Sequence, residues 1–216
     1  MSGSSNDRSR VPPPYAIRTE RLAIRCWDPR DAPRLKHALD TSLDHLRPWM
    51  PWAADEPKPL EEKAELLRLF RGRFDLGEDF VYGIFARDES EVIGGSGLHT
   101  RIGPGALEIG YWIRASHVGH GYAREATAAL TKVAFRVCGV ERVEIRVDPA
   151  NEPSLCVPRA LGFMEEATLR RRLPAAEGQP SRDAVVFTLF ADELGGSPVA
   201  VTTIEAYDVL GRSLEL

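Results

Sequence analysis

The stretch HVGHGYAREATAAL, His117 to Leu130, decides how the rest of the chain is read. Gly119 and Gly121 sit two apart between histidines, and a run with helical spacing follows at once. Ala123, Ala126, Leu130, Ala134 and Val137 fall on one face of a helix reaching from about Gly121 to Cys138, with Gly139 placed to end it. A helix start leaves several N–H groups unpaired and carries the positive end of the helix dipole. Glycines beside it let the backbone turn left-handed and approach a ligand closely. Together these features suit a phosphate or pyrophosphate. The loop is not a P-loop, because no Lys-Ser or Lys-Thr follows the second glycine. The GxGxxG dinucleotide pattern lacks its third glycine. By itself, GxGxA before a helix reads equally well as a tight turn.

The flanks narrow the choice. Upstream, FVYGIFA (80–86), EVIGGSGLH (91–99) and ALEIGYWI (106–113) read as short strands joined by turn-rich segments, so antiparallel hairpins are expected. Downstream, RVEIRV (142–147) alternates, with Val143, Ile145 and Val147 on one face. A strand, a loop, a helix and a second strand make a right-handed crossover, which predicts that 106–113 and 142–147 run parallel in one sheet. Gly110 interrupts its strand and predicts a β-bulge there.

Further out, TERLAIRCW is a strand with Leu22, Ile24 and Cys26 on its buried side. Asp31 is placed to cap the helix that follows it, with Pro33 at an early position. LRPWMPW breaks that helix and leaves Trp49, Met50 and Trp52 as a bulky loop, either core anchors or a channel wall. Leu60, Ala64, Leu67 and Phe70 mark another helix. NEPSLCVPRALGF is a short helix closed by Gly162 and carrying Pro158 inside it, where a kink is expected. AVVFTLF (184–190) is the last core strand. Arg170–Arg172 read as a solvated charge run or, near an acceptor groove, as a site to attract acidic peptides or a phosphate.

Composition bounds the function. The 216 residues are 43% hydrophobic and 28% charged, which fits one ordinary core with appendages. Net charge is −4, which disfavours wholesale binding to DNA or anionic membranes. No apolar run approaches the roughly 20 residues of a membrane span. The polar, proline-rich start lacks the apolar middle of a signal peptide, so a cytoplasmic location is expected. Residues 1–14 read as a flexible tail, 15–194 as the folded domain and 195–216 as an extension. That extension begins at a glycine-rich hinge, and whether it forms strand or helix, or packs on its own chain or a neighbour's, stays open. Cys26, Cys138 and Cys156 show no metal spacing, and burial is expected for the two on helical patterns, Cys138 and Cys156. His99, His117 and His120 form no metal set and read as solvated or packing residues.

The order EIGYWI…GHGYA.EA…VERVEIRVDPAN.PS…LGF closely resembles the acetyl-CoA-dependent GNAT superfamily of N-acetyltransferases. TERLAIRCWDPRDAPRL, LRPWMPWA and IGGSGLH resemble its RimJ/RimL branch, whose members acetylate N-terminal amines of ribosomal and other proteins. The resemblance implies an α+β GNAT-type fold: a mixed, mostly antiparallel central sheet, helices on both faces, and a parallel strand pair splayed around acetyl-CoA. It implies acetyl-CoA as donor, no metal, and a pyrophosphate loop offering amides from Val118, Gly119, His120, Gly121, Tyr122 and Ala123. Val118 stands where the family usually has Gln or Arg and offers no side-chain donor to phosphate; His120 or Arg124 can supply one instead. Ile113 and Arg114 would hold pantetheine through their backbone, Asn151 would lie near it, and Ser154 would approach the cofactor sulfur.

The inferred reaction is direct attack of a neutral amine on the thioester carbonyl. Tyr111 would donate a backbone N–H to the developing oxyanion. Glu108, on the face shared by Gly110 and Trp112, would accept the amine proton, or else pair with an arginine on a neighbouring strand. An α-amine is roughly one-tenth neutral at pH 7, so it needs less base strength than a lysine. The leading acceptor is a protein N-terminal α-amine. A small amine (aminoglycoside, polyamine or amino acid) is the close variant, and a non-catalytic acyl-CoA-binding module is the competing class. A homodimer stays open.

Overall fold

The computed structural model describes residues 12–175 and 180–216. Nine strands form one sheet in the order β7-β8-β6-β5-β4-β3-β2-β1-β9. They are β1 (Ala16–Arg18), β2 (Leu22–Cys26), β3 (Phe80–Ala86), β4 (Val92–His99), β5 (Ala106–Ile113), β6 (Arg142–Val147), β7 (Met164–Leu173), β8 (Arg182–Phe190) and β9 (Glu205–Tyr207). Every neighbouring pair is antiparallel except β5 and β6, which are parallel as the crossover predicts. The helices are α1 (Ala32–Asp40), α2 (Leu43–Leu46), α3 (Leu60–Asp75), α4 (Tyr122–Arg136) and α5 (Glu152–Ala160).

Strand alternation sorts side chains between two cores. Leu22, Ile24 and Cys26 of β2 face the larger one, beneath α4 and α5, with Leu107, Ile109, Ala126, Leu130 and Leu155. Ala23 joins Trp27, Leu35, Leu39, Leu67 and Phe85 in the smaller one, beneath α1 and α3. The helices therefore cover both faces, as a mixed sheet with two apolar sides requires.

Several local expectations change. The β4–β5 register runs without a break from Gly94↔Ile113 to His99↔Glu108, so Gly110 makes no bulge; the irregularity lies between β3 and β4, at Ile84/Phe85. Asp31 stands at the N-cap of α1, but its side chain makes no capping hydrogen bond. Asp28 caps the turn Pro29–Asp31, and the Asp31 carboxylate bonds Arg25 at 2.7 and 2.9 Å. Burial alone would raise the Asp31 carboxyl, but the Arg25 hydrogen bonds outweigh it and the carboxyl lies below its ordinary range. The charge run at Arg170–Arg172 is part of β7, a ten-residue edge strand whose exposed, charged residues hide any alternation. Cys156 is exposed on α5, whereas Cys26 and Cys138 are buried.

The described residues nearest each terminus pack on the body. Of the expected tail, residues 1–11 lie outside the described residues, while Pro13 and Pro14 are buried and the Tyr82 hydroxyl donates to the Pro14 carbonyl at 2.8 Å. The segment beyond the glycine hinge contributes β9, which pairs with β1. It buries Val199 and Ala206 and accepts hydrogen bonds from Lys132 of α4 at Ala200 and Thr202.

The tryptophan loop is fixed by a buried ion pair. Lys63 of α3 meets Glu56 with side chains 1% and 4% exposed. The Lys58 N–H also donates to Glu56 at 2.9 Å, and Arg47 holds its carbonyl at 2.8 Å. This ties the helical turn Pro51–Asp55 to α3. Lys63→Met strands the Glu56 carboxylate in the interior and should lower unfolding free energy by about 3–5 kcal/mol. The double variant with Glu56→Gln should recover part of that loss in urea unfolding; an unchanged single variant would contradict the pairing.

Candidate active site

The parallel ladder between β5 and β6 covers only Ala106–Glu108 against Arg142–Glu144. Beyond it the strands separate, although β5 stays paired to β4 through Ile113 and β6 to β8 through Val147. The Arg114 N–H bonds the Ile93 carbonyl at 2.8 Å. Alternation from that point turns the N–H and C=O groups of Ile113 and Tyr111 the other way, toward the gap beside β6. Arg114 departs from its expected role. Its N–H is committed to β4, and its carbonyl accepts from His117 at 2.8 Å.

The glycine loop stands where β5 hands over to α4. Gly119 and Gly121 have φ of +79° and +81°, the left-handed conformation expected of them, and Gly121 is the N-cap of α4. Val118, Gly119 and His120 are exposed, as is Arg124 in the first turn of α4. The His120 ring bonds the Val118 carbonyl at 2.9 Å and stacks on Tyr122 at 6.0 Å.

One support of this loop escapes sequence reading. Glu125 of α4 accepts from the Thr19 hydroxyl at 2.6 Å, the Arg21 N–H at 3.0 Å and the Arg21 guanidinium at 2.7 Å. Arg21 also donates to the His120 carbonyl at 2.9 Å and lies 4.6 Å over the Tyr122 ring. The β1–β2 turn thus braces the loop from about a hundred residues away, and it places a partly exposed guanidinium beside the amides.

On the sheet's other face lies a cavity of about 1110 Å³. Its walls include Trp49, Trp52 and Trp112, and its inner end reaches Tyr111, Asn151 and Ser154. The two loop tryptophans are therefore walls, and Trp52 meets Trp112 at 6.2 Å. Arg182 of β8 closes one side, its guanidinium ion-paired with Asp148 at 2.7 Å and donating to the Pro48 carbonyl at 2.8 Å. The structure gathers Glu108, Tyr111, Asn151 and Ser154 at this cavity, while Val118 to Arg124 lie outside its lining.

Asn151 caps α5, its side chain accepting from the Ser154 N–H at 3.2 Å. The Ser154 hydroxyl lies 2.9 Å from the Tyr111 hydroxyl. Burial pushes the Tyr111 phenol up to about 12, only partly offset by the Ser154 hydrogen bond, so it is a neutral donor throughout the physiological range. Glu108 does not stand free as the expected proton acceptor. Arg101 binds both of its oxygens, and Arg146 approaches within 3.7 Å. With both oxygens already accepting from a guanidinium, it is poorly placed to take a proton from an amine.

A protein-family model for the acetyltransferase (GNAT) domain matches residues 21–164. The Escherichia coli [ribosomal protein uS5]-alanine N-acetyltransferase is 29% identical over 165 residues, covering 74% of this chain and 82% of that protein. An N-acetyltransferase of Bacillus licheniformis, p20, is 27% identical over 180 residues, covering 82% and 97%. Mycobacterium smegmatis RimJ in complex with CoA-disulfide superposes with a TM-score of 0.72 at 25% identity, covering 86% and 90%.

The brace has a ligand-free test. Glu125→Ala should accelerate amide hydrogen exchange across residues 118–123 about tenfold while leaving β5 unchanged, since charge-assisted hydrogen bonds to a partly exposed arginine are of modest strength. Exchange that stays at the wild-type rate would show that the loop holds its shape without the β1–β2 turn.

Proposed function

We propose that this chain, which belongs to the GNAT acetyltransferase family, moves the acetyl group of acetyl-CoA to a protein N-terminal α-amine by direct attack. The reading rests on the gap between β5 and β6, which joins the glycine loop on the outside to the Tyr111–Ser154 pair at the cavity's inner end. A strand-like pantetheine arm suits the backbone groups that Ile113 and Tyr111 turn into that gap. The diphosphate goes to the amides of Val118 to Ala123. Arg21, bonded to the His120 carbonyl, is the side chain best placed to offer phosphate the donor that Val118 does not.

Residues divide the chemistry. The Tyr111 N–H faces the thioester carbonyl and answers the charge that develops on its oxygen. The Tyr111 and Ser154 hydroxyls, 2.9 Å apart, donate to the departing sulfur. Asn151 sets the start of α5 and with it the position of Ser154. An N-terminal peptide enters past the tryptophan wall, in a cavity large enough for several residues. The E. coli relative named for the alanine of uS5 supports a ribosomal-protein terminus as acceptor, and hence action in the cytoplasm.

Two measurements test this reading. Gly121→Asp sets a carboxylate among the loop amides and should abolish CoA binding in calorimetry, with a thermal melt to control for the roughly 1–2 kcal/mol left-handed strain. Unchanged affinity would overturn the loop assignment. Thiol release from acetyl-CoA should occur with a panel of N-terminal peptides; release only with polyamines, aminoglycosides or amino acids would replace the acceptor class.

A further inference from the structure

His99 ends β4 on the cavity side, and its ring folds back over a glycine floor. Gly97 and Gly110 pair directly across β4 and β5. A Cβ on Gly97 would fall 2.7 Å from the His99 Nε2, and one on Gly110 would fall 3.6 Å from it. Neither glycine has a positive φ, so the space for the ring, rather than the backbone conformation, excludes a side chain at Gly97. The next residue after Gly110 is Tyr111, whose N–H faces the β5–β6 gap.

Asp79, just before β3, orients the ring. Its carboxylate oxygens lie 2.9 and 3.2 Å from His99 Nδ1. An ionised carboxylate accepts only, so in the neutral imidazole Nδ1 carries the proton and Nε2 presents the lone pair. Among the described residues Nε2 has no hydrogen-bond partner, and both His99 and Asp79 line the cavity. The other charged groups lining the cavity are Glu108 of β5 with Arg101, Arg146 of β6, Glu62 and Glu65 of α3, the Lys63–Glu56 pair with Asp55 and Lys58, Asp148 with Arg182, and Arg172 of β7. Glu108 is committed to its arginines, and Glu65 to Arg68 at 3.0 Å.

We propose that His99 Nε2 is the proton acceptor for the amine, with Asp79 as its positioning residue; this rests on the acetyl-transfer reading above. The amine lone pair forms the C–N bond to the acetyl carbon while one N–H proton passes to Nε2, directly or through one water. The C–S bond breaks and its electron pair leaves on sulfur as a thiolate, which the Tyr111 and Ser154 hydroxyls stabilise by hydrogen bonding. The imidazolium proton then passes through water to solvent or to the thiolate.

The test compares full-length wild type with His99→Gln and Asp79→Asn on whichever amine the wild type acetylates. His99→Gln should lower kcat about a hundredfold, remove the acid limb of the kcat/KM profile and leave CoA affinity unchanged. Asp79→Asn should lower kcat about tenfold with KM for the amine held. Should His99→Gln melt early, His99→Ala with added imidazole serves instead, and rate recovery with imidazole is expected. An active wild type whose His99→Gln variant keeps its rate and acid limb, or a folded His99→Ala that imidazole does not rescue, overturns this inference alone. A wild type that binds CoA but acetylates no amine overturns the acetyl-transfer reading and this inference together.

Discussion

Three parallel residue pairs hold β5 to β6, and then the two strands part. Each stays paired on its other edge beyond that point: β5 with β4 as far as Ile113, and β6 with β8 as far as Val147. Sheet twist carries the two engaged halves away from each other. The backbone groups of Tyr111 and Ile113 are left facing a gap inside the protein. Unpaired main-chain groups are costly away from water, so such a gap favours an extended amide-bearing ligand that pairs with them as a strand would.

The rest of the molecule is arranged around the two ends of that gap. At one end the left-handed glycines and the start of α4 offer amides, braced by Thr19, Arg21 and Glu125. At the other, α5 delivers Ser154 to Tyr111, with Asn151 fixing the helix start. The wall beyond is held by ion pairs: Lys63–Glu56 fixes the tryptophan loop to α3, and Arg182 ties that loop to Asp148 at the end of β6. A nonspecific binding groove has little use for such stiffness, whereas a reaction that needs its partners held within a fraction of an ångström does.

Much of this is legible in the sequence because it is written in local patterns. The alternation of RVEIRV, the helical spacing after Gly121 and the turn residues between hairpins carry the crossover, the parallel pair and the position of the loop. What escapes lies in contacts between distant segments or in strands without a pattern. The ten residues of β7 are nearly all exposed and show no two-residue period. Arg21 and Glu125 are 104 positions apart, and nothing near either announces the other. Gly110 reads as a bulge, yet it sits in unbroken register; its neighbour is the His99 ring, a reason invisible without the cross-strand pairing. Glu108 shows the same limit. Its face of the strand follows from alternation, but the two arginines that surround it come from a turn and another strand.

A crystal structure of the chain with acetyl-CoA tests the central claim most directly. The account predicts pantetheine lying along the free edge of β5, its amides bonded to Ile113 and Tyr111, its diphosphate on residues 118–123, and its thioester carbonyl at the Tyr111 N–H. Cofactor density on another edge of the sheet, or a β5–β6 ladder that continues past Glu108 in solution, would contradict it.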